Sequence, residues 1–499
     1  MSVVHDVVAE HAARRPHRCF LADARSARSF DFAALHAAVQ AWCQEFDAAG
    51  VPPAARVLVD VEDPLAFCAV HLAVIATGRC SAPVDPAAPA AQMQRTRRAL
   101  RPWLVVSDRA TNPGILVDPA TGLPRSTQRR STQHRTARPE QPRSGSVALL
   151  TSGSTSTPKT VVLTEGQLLH AARNVVDHHH LTAADRGFNP LPLFHINAGV
   201  VALLATLLSG GTLVLDRRFH STRFWPLLVE REITWLNAVP AILTILATDY
   251  VPAAPPGLRF IRSASAPLPA AVRARVAAQT GVAVVESYGM TEAASQITAT
   301  PLSGGHPAGS VGRPVGVELV VVDPNGQRCA PGVVGRVRIR GESVISGYAD
   351  GVCAERFDAA GWLDTGDLGR LDADGYLFLT GRRDDVVNCG GELVYPGEVE
   401  EVLLGEAAVA EAAVAGCPHD VLGAVPVAWI RPIAALDGEQ RDDLVGRLRL
   451  RCEEQLSRVK RPVEFRFVAD LPRTTTGKVL RRRLPASLVP GRRLEVSPQ

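Results

Sequence analysis

Short apolar runs alternate with stretches of helical apolar spacing along the first part of the chain, and that alternation places it in the α/β class. Val3, Val4, Val7 and Val8 repeat at helical spacing, and Arg56-Val57-Leu58-Val59-Asp60 reads as a strand. Further strands are expected at residues 147–150, 212–215, 233–236 and 282–286. Residues 319–322 and 336–340 belong to a β-rich stretch punctuated by Asp-Pro-Asn-Gly and Ala-Pro-Gly turns. Near Gly381 the pattern changes to a small α+β unit, with a helix at 397–404 and strands around 412–415 and 425–430. Residues 111–146 are poor in large apolar side chains and rich in Arg, Ser, Thr, Gln and Pro, the composition of a surface loop. At 499 residues the chain exceeds what one core accommodates, so a large body with a smaller domain is the expected layout.

Composition narrows the function by exclusion. Hydrophobic residues at 46% and charged residues at 21% are ordinary for a globular protein and argue against disorder. The net charge of +4 is small for this length, and no basic face is interleaved with aromatics, so nucleic acid is not an expected partner. Nine cysteines are scattered without a C-x-x-C pair, which reads as reduced thiols in a cytoplasmic protein. The first residues, Met-Ser-Val-Val-His-Asp-Val-Val, lack the basic and apolar regions of an export signal. The most apolar stretch, 197–215, is interrupted by Ser209, Gly210 and Gly211, so it is expected to be a buried helix, a turn and a strand rather than a membrane span.

Chemistry first shows at Thr151-Ser152-Gly153-Ser154-Thr155-Ser156-Thr157-Pro158-Lys159-Thr160, between two apolar strands. Such a loop can aim backbone N–H groups, hydroxyls and an ammonium at a polyphosphate. It is not a Walker loop, because Pro158, which has no N–H, stands where the second glycine belongs. Alone, it reads equally well as a polar surface turn. Ser287-Tyr288-Gly289-Met290-Thr291-Glu292 offers an aromatic for a base, a hydroxyl for a phosphate and a carboxylate for Mg²⁺, or else a helix start capped by Thr291. Thr365-Gly366-Asp367 sets a carboxylate among turn residues, where it can accept two hydroxyls or simply close a turn. His178-His179-His180 cannot share one helix face, and metal binding is not expected there.

In this order the motifs resemble the adenylate-forming superfamily of acyl-CoA synthetases, peptide-synthetase adenylation domains and luciferases, most in the manner of the oxalate:CoA ligase branch. The phosphate loop keeps Thr151, Ser152, Gly153, Thr155, Pro158 and Lys159 of the family pattern, with Ser154 between them, and departs from glycine at Ser156 and Thr160. The resemblance implies that Tyr288 stacks on adenine, Thr291 touches the α-phosphate and Glu292 holds Mg²⁺. Ser287, Gly289, Met290 and the segment Ser265, Ala266 and Pro267 complete the nucleotide pocket by the same likeness. Asp367 and Arg382 would hold the ribose, and Asp384 would be the hinge about which a small domain turns. Gly390, Gly391 and Glu392 would line a thiol tunnel, although two glycines also suit a hairpin turn. Lys478, in Pro472-Arg473-Thr474-Thr475-Thr476-Gly477-Lys478, would neutralise charge as the carboxylate attacks the α-phosphate. His195, after Phe194, would gate an acyl pocket with Asn197, Asn237, Ala264 and Met290.

The family implies a large N-terminal domain of layered α/β subdomains with a small β-rich part, residues 1–382, and a small mobile α+β C-terminal domain, residues 383–499. It also implies ATP, Mg²⁺ and coenzyme A, a carboxylic acid substrate, and an acyl-AMP carried to a thiol. Three alternatives stay open at this point. The altered phosphate loop would suit an enzyme that only thioesterifies acyl-AMP supplied by another protein. A carrier-protein phosphopantetheine can replace coenzyme A as acceptor, and a nucleotide-binding regulator can be built on the same scaffold. No acidic residue marks an α-amino site, so amino acids are disfavoured as substrates.

Overall fold

The computed structural model describes residues 2–109, 114–125, 144–151, 159–248, 255–473 and 479–484. They form four sheets in a mixed α/β arrangement, with a large N-terminal domain and a smaller C-terminal one. A nine-stranded sheet runs in the order Arg313–Pro314, Ser295–Ala299, Ala283–Met290, Phe260–Ala264, Trp235–Ala238, Arg186–Asn189, Thr212–Leu215, Cys19–Asp23 and Ser29–Asp31. Its six central strands, from Ala283–Met290 to Cys19–Asp23, are mutually parallel. Parallel strands are covered on both faces, which explains why they read as continuous apolar runs. From Arg186–Asn189 the chain adds Thr212–Leu215 on one side and then returns to add Trp235–Ala238 on the other. Such a reversal opens a crevice at the carboxyl ends of the strands, where α/β proteins bind ligands.

A seven-stranded sheet holds Arg56–Asp60, Cys80–Pro83 and the hairpin Ser146–Thr151 with Lys159–Thr164. Two of its strands, Ile115–Val117 and Pro124–Arg125, lie inside the stretch expected to be loop. Ile115 and Val117 alternate into the core around Leu116, a period too short to stand out of its polar surroundings. The four-stranded antiparallel sheet comprises Glu318–Val322, Gly335–Arg340, Leu363–Leu371 and Leu377–Arg382. After the single turn Arg383–Asp385 comes a sheet built on Val387–Cys389, Glu392–Val394, Val409–His419, Gly423–Pro432 and Glu464–Phe467, against which Pro396–Leu404 and Gly438–Gln455 pack.

Elsewhere the elements fall within a few residues of expectation. The strand at 233–236 lies at Trp235–Ala238, because Glu232 and Ile233 first close the preceding helix. The stretch 197–215 is a buried helix, a turn at Gly210 (φ +71°) and a strand, with Asn197–Leu204 wound as a π-helix. Among the described residues no helix is long and apolar enough to cross a membrane.

Glu165, 2% exposed, closes the open end of the hairpin that carries the phosphate loop. It accepts from Ser2 Oγ at 2.6 Å, Val4 N at 2.7 Å, Ser144 Oγ at 2.9 Å and Gly145 N at 3.3 Å. Glu165 also opens the helix Glu165–His179, where its charge suits the positive helix end. One carboxylate thus ties the first helix, the start of one strand and the end of the next. Glu165→Ala leaves four donors without their acceptor and is expected to cost roughly 2–4 kcal/mol, read as a lower midpoint in urea unfolding.

Candidate active site

The nucleotide motif lies at the end of the strand Ala283–Met290, not at a helix start. Met290 precedes the single turn Thr291–Ala293, so Thr291 is not a helix cap. Gly289 is required by close approach: a Cβ there would lie 1.6 Å from the Ser295 carbonyl oxygen. Thr365-Gly366-Asp367 likewise sits inside the strand Leu363–Leu371 rather than in a turn, with Gly366 at φ +77°. That glycine, and the register shift after Leu368, disguise the strand in the sequence.

Two sheets meet at Asp367. Tyr288 Oη donates to Asp367 Oδ2 at 2.6 Å, and Arg382 Nη1 donates to Asp367 Oδ1 at 3.0 Å. Burial, reinforced by the Asp367 carboxylate, holds the Tyr288 phenol well above its usual range, so it stays a neutral donor. Burial works against the Arg382 cation, but Asp367 together with Tyr288 and Asp384 offsets it and raises the guanidinium above its ordinary value. Asp364, next to this group, accepts from Gly366 N at 2.8 Å and Arg383 Nη1 at 3.1 Å. Phenol, carboxylate and guanidinium therefore form one preset edge, able to take a base and the two hydroxyls of a ribose.

The next residues carry groups of the kind that can hold a metal ion and phosphate. Glu292 is buried, and its Oε1 accepts from Tyr348 Oη at 2.7 Å with Arg356 Nη1 at 3.6 Å. Arg356 also bonds the Tyr348 hydroxyl and the Asp364 carbonyl, and Lys159 Nζ lies 5.1 Å from the centre of the Tyr348 ring. Mg²⁺ is commonly held by one or two carboxylates with phosphate oxygens completing its octahedron. A single oriented carboxylate beside the end of the phosphate loop fits that pattern. Among the described residues no group of three or more His, Cys, Asp or Glu could hold a metal ion by itself. Tyr348 and Arg356 carry no motif signal, which is why they escaped sequence reasoning.

Only the ends of the phosphate loop are described. Thr151 Oγ1 donates to Lys159 O at 3.5 Å, and Ser152, Gly153, Ser154 and Thr155 lie outside the described residues. Thr160, one of the departures from glycine, is 4% exposed, pairs with Leu150 and accepts from Ala349 N at 3.0 Å. Its branched side chain suits that strand position. Lys478 also lies outside the described residues, but both ends of its segment are anchored: Arg473 bonds Glu411, and Arg481 donates to Glu400 at 2.7 Å and Asp385 at 3.3 Å.

Of the residues expected to line an acyl pocket, Asn197 and Asn237 are joined by hydrogen bonds at the nine-stranded sheet. Asn237 Nδ2 donates to Asn189 Oδ1 at 3.0 Å and Asn197 Oδ1 at 3.4 Å, and Asn197 Nδ2 donates to Ser265 Oγ at 3.4 Å. Ser265 holds a left-handed φ of +77° directly after the strand Phe260–Ala264, with Ala266 and Pro267 following it. Ala264 is buried, Met290 partly so, and the Phe194 ring lies tilted against His195 with ring centres 4.4 Å apart. Sequence reading omitted Asn189 and Arg262, which complete this network. Gly390 and Gly391, at φ +62° and +95°, form the hairpin turn between Val387–Cys389 and Glu392–Val394. No hydrogen bond among the described residues joins that hairpin to Tyr288, Glu292 or Asp367. His178 and His179 end a helix, with His178 Nδ1 and His179 Nδ1 2.9 Å apart, and His180 is its left-handed cap.

Two predictions follow from these contacts. Tyr348→Phe frees Glu292 from its orienting hydroxyl and is expected to raise the Mg²⁺ concentration for half-maximal pyrophosphate release about tenfold; an unchanged Mg²⁺ titration would separate Tyr348 from the metal. Burial pushes His195 and the enclosed His71 to about 4, whereas unfolded imidazoles titrate near ~6.5. Their folded values are depressed, so the stability they contribute is complete above about 6.5 and is lost as pH falls toward 4. Urea midpoints are expected to drop between about pH 7 and about pH 5, and His71→Gln to flatten that drop.

Comparison with known proteins agrees with this geometry. Residues 8–349 match the AMP-binding enzyme family, and residues 398–478 match the AMP-binding enzyme C-terminal domain. The chain is 42% identical over 349 residues to sulfoacetate–CoA ligase of Cupriavidus necator, covering 69% of this chain and 68% of that one. It is 37% identical over 348 residues to oxalate–CoA ligase of Saccharomyces cerevisiae, covering 68% and 63%. The fold matches o-succinylbenzoate CoA synthetase of Bacillus subtilis bound to its acyl-adenylate, with TM-score 0.82, 27% identity and coverage of 96% and 97%. The same enzyme bound to ATP and magnesium matches with TM-score 0.81 at 27% identity, covering 96% and 98%. ATP with Mg²⁺, and coenzyme A, are the cofactors this scaffold serves. The chain belongs to the AMP-binding enzyme family, as an AMP-forming acid–thiol ligase that works through an acyl-adenylate.

Proposed function

We propose that this chain activates a small carboxylic acid in the cytoplasm and passes it to coenzyme A, with the roles divided as follows. The observation that carries the reading is the bonded series Tyr288–Asp367–Arg382, which sets an aromatic, a carboxylate and a guanidinium on one edge. Tyr288 stacks on adenine, walled by Ser265, Ala266, Pro267, Ser287, Gly289 and Met290, while Asp367 and Arg382 take the ribose. Thr151, Ser152, Gly153, Ser154, Thr155 and Lys159 receive the phosphates, Thr291 the α-phosphate, and Glu292 the magnesium ion. His195 and Phe194 gate the acyl pocket, whose floor is Asn197, Asn237 and Ala264.

In the first step a carboxylate oxygen attacks the α-phosphorus and pyrophosphate leaves, with Lys159 and Lys478 neutralising the developing charge. In the second, the thiolate attacks the acyl carbon and AMP leaves with its bridging oxygen. Two steps of such different geometry call for two arrangements of the smaller domain. The division is set between residues 382 and 383, a reading supported by the turn Arg383–Asp385, which leads from the strand Leu377–Arg382 to Val387–Cys389, and by the exposure of Asp384 to solvent. Turning there would withdraw Lys478 and present the hairpin at Gly390, Gly391 and Glu392 to the thiol. The buried fit of Thr160 in its strand favours an intact ATP-using loop over an enzyme confined to the second step.

The test is to compare thioester formation from ATP plus acid with that from supplied acyl-AMP, offering coenzyme A and a carrier protein separately. Coenzyme A ester from ATP is expected. Lys478→Ala is expected to lower adenylation about 10²–10³-fold while acyl-AMP plus coenzyme A still reacts. Equal loss in both steps, or product only from acyl-AMP, would contradict the assignment.

A further inference from the structure

Arg262 stands in the middle of the strand Phe260–Ala264 and is 1% exposed. Every acceptor it reaches is neutral: Asn197 Oδ1 at 3.1 Å, Asn237 Oδ1 at 3.3 Å, Ser287 Oγ at 3.0 Å and Gln296 Oε1 at 3.4 Å. Its Nε is buried with no partner among the described residues. Burial pushes the guanidinium down to about 9, which still leaves it a cation at neutral pH. Interior cations are ordinarily paired with a carboxylate, because dipoles alone recover only part of the lost hydration. Among the described residues no carboxylate pairs with it, and the two amides nearest the guanidinium, Asn197 and Asn237, are those proposed to floor the acyl pocket.

The position of the charge indicates which anion it serves. Arg262 lies two residues deeper along its strand than Ala264, and its partner Ser287 lies on the strand side of Met290, Thr291 and Glu292. The reacting carboxylate belongs beside Thr291 and the α-phosphate, at the open end. Asn197 and Asn237 bridge the two regions. Their oxygens accept from Arg262, and their amide N–H groups donate to Ser265 from Asn197 and to Asn197 and Asn189 from Asn237. An anion in that crevice would meet oriented donors backed by a buried positive charge, an arrangement that gains strength from the low local dielectric.

We propose that the acid activated here carries a second anionic group, a carboxylate or sulfonate a few bonds from the reacting one, and that Arg262 sets this preference as a positioning residue acting through Asn197 and Asn237. The proposal rests on the acyl-adenylate reading above. Sulfoacetate, oxalate and 2-succinylbenzoate, the acids for which several relatives are named, each have a second acidic group.

Matched acid pairs test it: succinate against butanoate, and sulfoacetate against propanoate, followed by pyrophosphate release with ATP, Mg²⁺ and coenzyme A. The unaltered enzyme is expected to favour the doubly charged member by about 100-fold or more in kcat/KM. In Arg262→Gln that ratio should collapse toward unity, mainly through KM, and Arg262→Lys should restore part of it. Turnover without such a preference, or a preference that survives Arg262→Gln, would overturn the proposal and leave the ligase reading intact. Thermal unfolding with AMP alone and with AMP plus each acid separates the sources of the anion. A rise in Tm added by the doubly charged acid and lost in Arg262→Gln supports the proposal, whereas an Arg262-dependent rise with AMP alone assigns the charge to the nucleotide phosphate and overturns it. If no acid in either pair is turned over, the same Tm comparison still decides the role of Arg262, and an absent Arg262-dependent rise with the doubly charged acids overturns the proposal.

Discussion

The link on which the site depends is the pair of short bonds that Asp367 accepts from Tyr288 and Arg382. Tyr288 ends a strand of the parallel sheet, whereas Asp367 and Arg382 belong to the antiparallel sheet that follows it in the chain. Neither sheet alone offers a base-sized aromatic and a carboxylate at the same place. The bonds are part-buried and charge-assisted, so they hold the edge in one geometry, and a site whose geometry is fixed loses less on binding. Three of the motifs, otherwise distant along the chain, become one site through this contact.

The same logic runs through the Glu292 cluster and the acyl crevice. Glu292 has its orientation fixed by Tyr348 and Arg356, so its carboxylate is aimed by its neighbours, as the ligand of a metal site would be. In the crevice, Arg262 does for the asparagine amides what Tyr348 does for Glu292. The reactive groups stand at strand ends, and buried side chains behind them set their direction. This division is expected where a parallel sheet reverses its strand order, because the crevice is open at the carboxyl ends and closed below.

Much of this was legible in the sequence because chemistry-bearing residues sit close together in short motifs. Tyr288, Thr291 and Glu292 are four residues apart at most, and periodicity located the strand that leads into them. The elements at 56–60 and 212–215 agree with Arg56–Asp60 and Thr212–Leu215 because parallel strands, buried on both faces, are unbroken apolar runs. What escaped has equally physical causes. Ile115–Val117 is too short to show a period, and Thr365-Gly366-Asp367 looks like a turn because a glycine with positive φ sits within the strand. Asn189, Arg262, Tyr348 and Arg356 act through partners remote in sequence, so nothing local marks them.

The central claim is that a carboxylate oxygen becomes bonded to the α-phosphorus before the thiol arrives. It is tested most directly by supplying the acid with both carboxylate oxygens labelled as oxygen-18, together with ATP, Mg²⁺ and coenzyme A, and weighing the AMP formed. An acyl-adenylate requires that one labelled oxygen appear in each AMP, since the bridging oxygen departs with the nucleotide. Unlabelled AMP, or label recovered instead in inorganic phosphate, would contradict the account.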